Sequence, residues 1–271
     1  MQIPAAFEYE RATSVENALE LLQARGPEAR LLAGGHSLLP VLRLRFARPA
    51  LLVDIGRIEA LSYVRDAGDR IAIGALTRHH DLETDPLLKE RCGLLAHAAG
   101  EVGDPMVRNR GTIGGSLAHA DPAADYPAVL MALDAELVFH DGRKVAAAEF
   151  FRGVFETALG PADMLTEVRV PALDGAGWSF LKFRNRSQDW ATFGVAAVTR
   201  NGDAAIGLVN MGATPLRAKA AEAAYRDGGA DAAGEAAAEG TDPPEDTAAS
   251  AEFRRHLARV LTRRALEEAS A

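Results

Sequence analysis

The 271-residue chain is 48% hydrophobic, enough to bury a real core in one large domain or two modest ones, and this excludes a disordered protein. A formal charge of −8, with no dense run of Lys and Arg, excludes a polyanion-binding face, so no nucleic-acid partner is expected. No window approaches the roughly 18 apolar residues of a membrane span, and the single cysteine, Cys92, excludes an internal disulfide and an iron–sulfur cluster held by four thiolates of this chain.

The opening stretch "MQIPAAFEYERATSVENAL" has no basic segment followed by an apolar one, which implies a cytoplasmic location. Thr13 and Glu16 form a capping-box pattern, and Val15, Ala18, Leu19 and Leu22 follow at helical spacing until Gly26-Pro27 ends the run. "ARLLA" reads as a buried strand entering a turn at Gly34-Gly35, with "LLPVLRLRF" a short helix or irregular apolar segment beyond it. "LLVDI", "LSYVRD" and "RIAIGAL" read as strands, the last two joined at Ala67-Gly68-Asp69. "DPLLKERCGLLAHAAGEVG" is expected to be one helix with Leu87, Leu88, Cys92, Leu95 and Ala99 on one side, and "DYPAVLMALDA" another. "AELVFHDGRKVAA" is a hairpin turning at Asp141-Gly142, and "LTEVRVP" is a strand. Beyond Pro171, "WSFLKFRNR" and the hairpin "TFGVAAVTRNGDAAIGLVNM" form a separate sheet with two helices, "TPLRAKAAEAAY" and "AEFRRHLARVLTRRALEEA". Residues 227–248 between those helices are mostly Ala, Gly, Glu, Asp and Pro, the composition of a solvated linker. The class is α+β.

Two stretches carry the chemistry: "LLAGGHSLLP" and "RGTIGGSLAHADPAADYP". Each offers a glycine pair beside hydroxyl residues, Ser37 in the first and Thr112 and Ser116 in the second. Glycine lets the backbone come close to a ligand and take positive φ, so that successive N–H groups can converge on phosphate oxygens. Either pair alone is an ordinary turn; two together point to a pyrophosphate. Neither a G-x-G-x-x-G after a strand nor a G-x-x-x-x-G-K-[ST] occurs, so the Rossmann and P-loop modes do not apply.

The same residues carry a resemblance. "LLAGGHSLLPVLRLR", "LVDIGRI", "VRNRGTIGGSLAHADPAADYPAVLMAL" and "MGATPLRA" resemble the FAD-binding medium subunit of the molybdenum hydroxylases, the family of aerobic carbon monoxide dehydrogenase and xanthine dehydrogenase. The likeness runs over nearly the whole chain. It implies a vanillyl-alcohol-oxidase-type fold with two FAD-binding subdomains (1–52 and 53–172) and a C-terminal domain (173–271). It also implies noncovalent FAD, with Ala33, Gly34, Gly35, His36, Ser37 and Leu38 in the first segment and Thr112, Ile113, Gly114, Gly115 and Ser116 in the second holding the diphosphate, and Leu32 beside the first as a further cofactor-binding residue. Asp125 would accept hydrogen bonds from ribose or ribityl hydroxyls, Leu165 would lie beside the flavin ring system, and Lys182 near the isoalloxazine. The partners implied are a small subunit with [2Fe-2S] clusters and a large subunit with the molybdenum cofactor, assembled as a dimer of heterotrimers. This chain would take electrons from the clusters and pass them to an external acceptor; the alternative is a self-contained FAD-dependent oxidase or reductase on the same fold.

The remaining candidates have plainer readings beside the functional ones. The His79-His80 pair and His119 near Asp121 lack metal-ligand spacing and read as solvated or capping residues. His36 either reaches FAD or packs, and Trp190 either stacks on the flavin or is a core aromatic. One of Asp121 and Asp125, around Pro122, reads as a helix cap. Met106, Val107 and Leu117 beside the second segment are either a partner contact or part of the chain's own core.

Overall fold

The computed structural model describes residues 3–271. Its first layer is a parallel sheet of β1 (Glu8–Arg11), β2 (Ala29–Leu32) and β3 (Leu51–Asp54) in the order β1-β3-β2. Helix α1 (Val15–Arg25) connects β1 to β2 and buries Ala18 and Leu22 in one cluster with Leu51, Val53 and Ile55. Its cap is Ser14, not Thr13. Ser14 takes the extended backbone of a cap, and its Oγ accepts the Asn17 N–H at 3.1 Å while Asn17 Oδ1 accepts the Thr13 N–H at 3.2 Å. Parallel strands share one carboxyl edge, here formed by Arg11, Leu32 and Asp54, and the first glycine segment leaves from that edge into α2 (Leu38–Arg43).

The second layer is an antiparallel sheet ordered β4-β5-β10-β6-β7. Its first strands, β4 (Val64–Asp66) and β5 (Arg70–Gly74), precede six helices: α3 (His79–Thr84), α4 (Pro86–Arg91), α5 (Gly93–Gly100), α6 (Pro105–Arg110), α7 (Ile113–His119) and α8 (Asp125–Ala132). Then come β6 (Glu136–Phe139), β7 (Lys144–Ala146), α9 (Ala147–Phe150), the small hairpin β8 (Phe151–Gly153) and β9 (Glu156–Thr157), and β10 (Leu165–Pro171). Ile71, Ile73 and Val168 of the sheet pack with Leu82, Leu88, Leu95, Leu117 and Leu130 of the helices in the largest core. The single helix expected over Asp85–Gly103 is broken at Cys92, whose φ of −151° and ψ of 56° are not helical. The break brings Gly93 under the Trp178 ring, where a larger residue would not fit.

The third layer is the antiparallel sheet β11 (Gly177–Phe183), β12 (Phe193–Arg200), β13 (Asp203–Val209) and β14 (Leu216–Arg217), covered by α10 (Lys219–Ala236) and α11 (Ala251–Ala269). The hairpin at Asn201-Gly202 has positive φ at both residues, as a two-residue turn between twisted strands requires. This sheet meets α8 closely: a Cβ on Gly207 would overlap the Ala128 carbonyl oxygen. Residues 227–248 are not a simple linker. After a break at Gly229, α10 resumes to Ala236, and Ala233 and Ala237 are buried in the cluster that includes Leu257, Ala258 and Leu266 of α11. Alanine adds little hydropathy, but its small side chain lets two helices pack closely.

Candidate cofactor site

The first glycine segment reverses direction at the end of β2, with Gly35 at φ +81°. The amides of Gly34, Gly35, His36, Ser37 and Leu38 donate to no other group of the chain among the described residues. Five successive open donors at the carboxyl edge of a parallel sheet form a backbone cradle suited to an anion.

The second segment is built differently. Expected as a turn, it is the start of helix α7, with Thr112 as its cap. Thr112 Oγ1 accepts the Gly115 N–H at 3.1 Å, the Ile113 N–H goes to the Thr77 carbonyl, the Gly114 N–H to that of Ala75, and the Ser116 N–H to that of Thr112. Its amides are committed within the chain, and its first glycine serves packing: a Cβ on Gly114 would stand 2.6 Å from both the Cβ and the carbonyl oxygen of Ala75. Two similar spellings therefore produce a cradle and a strut.

Cradle and strut touch. A Cβ on Gly34 would overlap the Arg110 carbonyl oxygen and lie 2.8 Å from Gly111 Cα. The stretch at Arg110–Thr112 is itself held from behind: an isolated antiparallel bridge joins Arg78 to Thr112, the Arg78 guanidinium donates to the Arg110 carbonyl, and the His79 N–H donates to that of Gly111 at 3.2 Å. The His79 ring is buried and shares a 3.0 Å hydrogen bond from Nδ1 to the buried Tyr126 hydroxyl. Burial, with the Arg78 charge beside it, pushes the His79 pKa down to about 3, so the imidazole is neutral. The solvated-or-capping reading thus fits exposed His80 but fails for His79, because its partner Tyr126 lies far along the chain.

Asp125 and Lys182, expected to meet the cofactor separately, meet each other. Lys182 Nζ donates to Asp125 Oδ2 at 2.8 Å and to the Glu101 carbonyl at 2.9 Å, and the two side chains are 2% and 4% exposed. The pair ties α8 to β11 and so joins the second and third layers. Burial pushes the Asp125 carboxyl up to about 6, against the opposing pull of the Lys182 charge, while Asp125 Oδ1 has no partner. Neither acidic residue near Pro122 caps α8: Asp121 Oδ1 accepts the Ala123 N–H in a local turn, and Asp125 is already in the helix.

Leu165 is buried at the start of β10, and the next carbonyl, that of Thr166, accepts the Ala75 N–H, so its strand reaches Gly114 through Ala75. Trp190 is 57% exposed in the loop between β11 and β12, and His36 is exposed at the cradle. Met106 is exposed whereas Leu117 is fully buried, so the apolar trio beside the second segment is not one surface.

The sequence reading missed four basic residues. Arg11, Arg57, Arg78 and Arg110, with Asp54, line a cavity of about 190 Å³ against the first glycine segment. They lie far apart from one another in the sequence, and the fold gathers them.

The family described as the FAD-binding domain in molybdopterin dehydrogenase matches residues 5–173, and the carbon monoxide dehydrogenase flavoprotein C-terminal domain matches residues 178–269. The chain belongs to this flavoprotein family. It is 41% identical to the carbon monoxide dehydrogenase medium chain of Hydrogenophaga pseudoflava, over 98% of each chain. It is 39% identical to subunit alpha of the 6-hydroxypseudooxynicotine dehydrogenase complex of Paenarthrobacter nicotinovorans, over 98% of this chain and 95% of that one. The solved structure of carbon monoxide dehydrogenase from Hydrogenophaga pseudoflava superposes with a TM-score of 0.94 at 42% identity, covering 99% of this chain and 98% of that one. Its α+β architecture is thus that of the carbon monoxide dehydrogenase flavoproteins, and FAD is the cofactor of the family. The residues present fit an FAD: open amides suit a diphosphate, and the orphaned Asp125 Oδ1 is an acceptor that a cofactor hydroxyl would satisfy.

Proposed function

We propose that this chain is the electron-transfer flavoprotein subunit of a molybdenum- and iron–sulfur-containing dehydrogenase. It takes electrons from [2Fe-2S] clusters of a small partner subunit and passes them to an external acceptor, while a large subunit with the molybdenum cofactor selects and oxidises the substrate. The observation that carries the reading is the run of five unpartnered amides from Gly34 to Leu38, set against the strut at Arg110–Thr112, in a chain of this family.

Bound FAD supplies the capacity to accept electrons and release them to a second partner. The chain's own residues do the rest. The cradle amides would hold the diphosphate without any covalent link, with Thr112 and Ser116 alongside. Asp125 Oδ1 would accept a ribose or ribityl hydroxyl, and Lys182, which donates to Oδ2, keeps that carboxylate in place. Leu165 would lie beside the ring system, and Trp190 and His36, whose side chains are exposed, would be the further contacts. Cys92 takes no part: it is buried, and burial pushes its thiol up to about 12. A single thiol leaves the clusters to the partner, in an assembly expected to be a dimer of heterotrimers in the cytoplasm. Among the described residues no helix is long and apolar enough to cross a membrane.

Two measurements test the reading. Acid precipitation of the purified flavoprotein should leave yellow FAD in the supernatant; flavin retained in the pellet contradicts noncovalent binding. Co-expression with the small and large subunits should yield a complex in which substrate reduces the flavin, whereas the lone chain should not react with that substrate. A lone chain that turns over a small-molecule donor at a comparable rate makes it a self-contained oxidase or reductase.

A further inference from the structure

The cavity at the carboxyl edge of the first sheet gathers four arginines against a single lining carboxylate, Asp54. Arg11 ends β1, Arg57 follows β3, Arg78 precedes α3 and Arg110 ends α6, and all four line one space with Gly34 and Gly35. Asp54 accepts from the Tyr9 hydroxyl at 2.5 Å and from the Gly56 N–H at 2.8 Å, both neutral donors, so its one negative charge offsets only part of the positive charge around it. Among the described residues, none of the four guanidiniums has a carboxylate within 4.0 Å. Like charges in excess of their counter-charge repel one another, and an entering anion relieves that cost. In a chain of net charge −8 this concentration of positive charge is local, not a general property of the surface.

Size and chemistry narrow the anion. A cavity of about 190 Å³ is smaller than the roughly 300 Å³ at which sites for whole drug-sized ligands begin, so it suits a phosphate pair and not a complete dinucleotide. Guanidinium groups present planar pairs of donors that match phosphate oxygens, and the open amides of Gly34 and Gly35 face the same ligand. The geometry points to this cavity as the seat of the two cofactor phosphates, with Arg57 and Arg110 supplying charge to the diphosphate that the open amides cradle. The assignment rests on the FAD reading above and adds the residues that recognise the phosphate-bearing half. Arg78 has a second duty, since it also holds the Arg110 carbonyl.

The test uses the full 271-residue chain, stripped of flavin and titrated with FAD and with ADP. Arg57 and Arg110 are exposed, so Gln or Lys at both positions should leave the fold intact, as a thermal melt will report. In the wild type, ADP should compete with FAD, and added salt should weaken both. The Arg57→Gln/Arg110→Gln protein should bind FAD and ADP about 10- to 100-fold more weakly, the loss expected for hydrogen bonds to a charged group. The Arg57→Lys/Arg110→Lys protein should recover part of the loss. If the double Gln variant does not fold, the two single Gln variants are read instead, each expected to lose severalfold. FAD binding unchanged by the Gln substitutions, or ADP that binds without displacing FAD, overturns the assignment while leaving the FAD reading intact. A wild-type chain that binds neither ligand overturns both.

Discussion

Replacing Gly34 by alanine puts a methyl group where the strut already runs. Its carbon would overlap the Arg110 carbonyl oxygen and stand 2.8 Å from Gly111 Cα, whereas non-bonded carbons meet favourably at roughly 3.5 to 4.0 Å. Both neighbours are backbone atoms, so no change of rotamer relieves the contact, and the two segments must part by about 1 Å. Overpacking of this kind costs about 1 to 3 kcal/mol, and each kcal/mol lowers the melting temperature of a chain this size by about 2 to 4 °C. The flavin-free protein should therefore melt several degrees lower. Because the same shift draws the cradle away from the strut, FAD affinity should fall at least about tenfold, the equivalent of about 1.4 kcal/mol. Gly35→Ala is the comparison. There the new Cβ would meet flexible leucine side chains, Leu39 at 3.0 Å and Leu32 at 3.4 Å, and its cost of about 1 to 2 kcal/mol would come from φ +81°. Calorimetry without FAD and a fluorescence titration with FAD measure the two effects. A Gly34→Ala protein with wild-type melting and wild-type FAD affinity refutes the reasoning.

Gly207→Ala should cost about 3 kcal/mol or more, because its Cβ would overlap the Ala128 carbonyl oxygen and stand 2.8 Å from the carbonyl carbon, forcing the third sheet off α8; a urea midpoint equal to wild type contradicts this. Lys182→Met should cost about 3 to 5 kcal/mol at about pH 8, since it leaves the Asp125 carboxylate buried without its cation. Asp125 titrates at about 6 in the folded chain, above its ordinary 3.8, so the native state holds this proton more tightly and the group's stabilising contribution is lost as pH rises through about 6. Removing Lys182 strengthens that dependence, so the deficit against wild type should shrink on acidification from about pH 8 to about pH 5. Urea midpoints that differ by the same amount at both pH values contradict it.

The features legible in the sequence were those encoded by neighbouring residues. Apolar runs such as "LLVDI" and "RIAIG" marked strands, Asn201-Gly202 marked its hairpin, and the glycine pairs marked the two segments that meet at the site. What escaped depends on partners distant in the chain. Nothing around His79 announces that Tyr126 covers its ring, and no local cluster links Arg11 to Arg110. Whether a glycine pair forms an open cradle or a helix start is decided by acceptors elsewhere: Ala75 and Thr77 take the amides of Gly114 and Ile113, while among the described residues no carbonyl takes the Gly34 amide. One missed element did leave a trace. Ala230, Ala233 and Ala237 recur at helical spacing inside the supposed linker, a stripe that hydropathy undervalues because alanine is small.

The contact between Gly34 and Arg110–Gly111 also dictates an order of events during synthesis. The ribosome delivers β1, α1, β2 and β3 first, so the parallel sheet and its row of open amides can be complete while the strut is still untranslated. The stretch that backs the cradle arrives with Gly111, and the hydroxyl that holds His79 behind it arrives only with Tyr126. A nascent chain shorter than this has an anion cradle with no wall. With the diphosphate seated against this wall as proposed, cofactor capture is expected late in translation or after it, and a ribosome stalled before Tyr126 should leave a fragment that does not retain flavin.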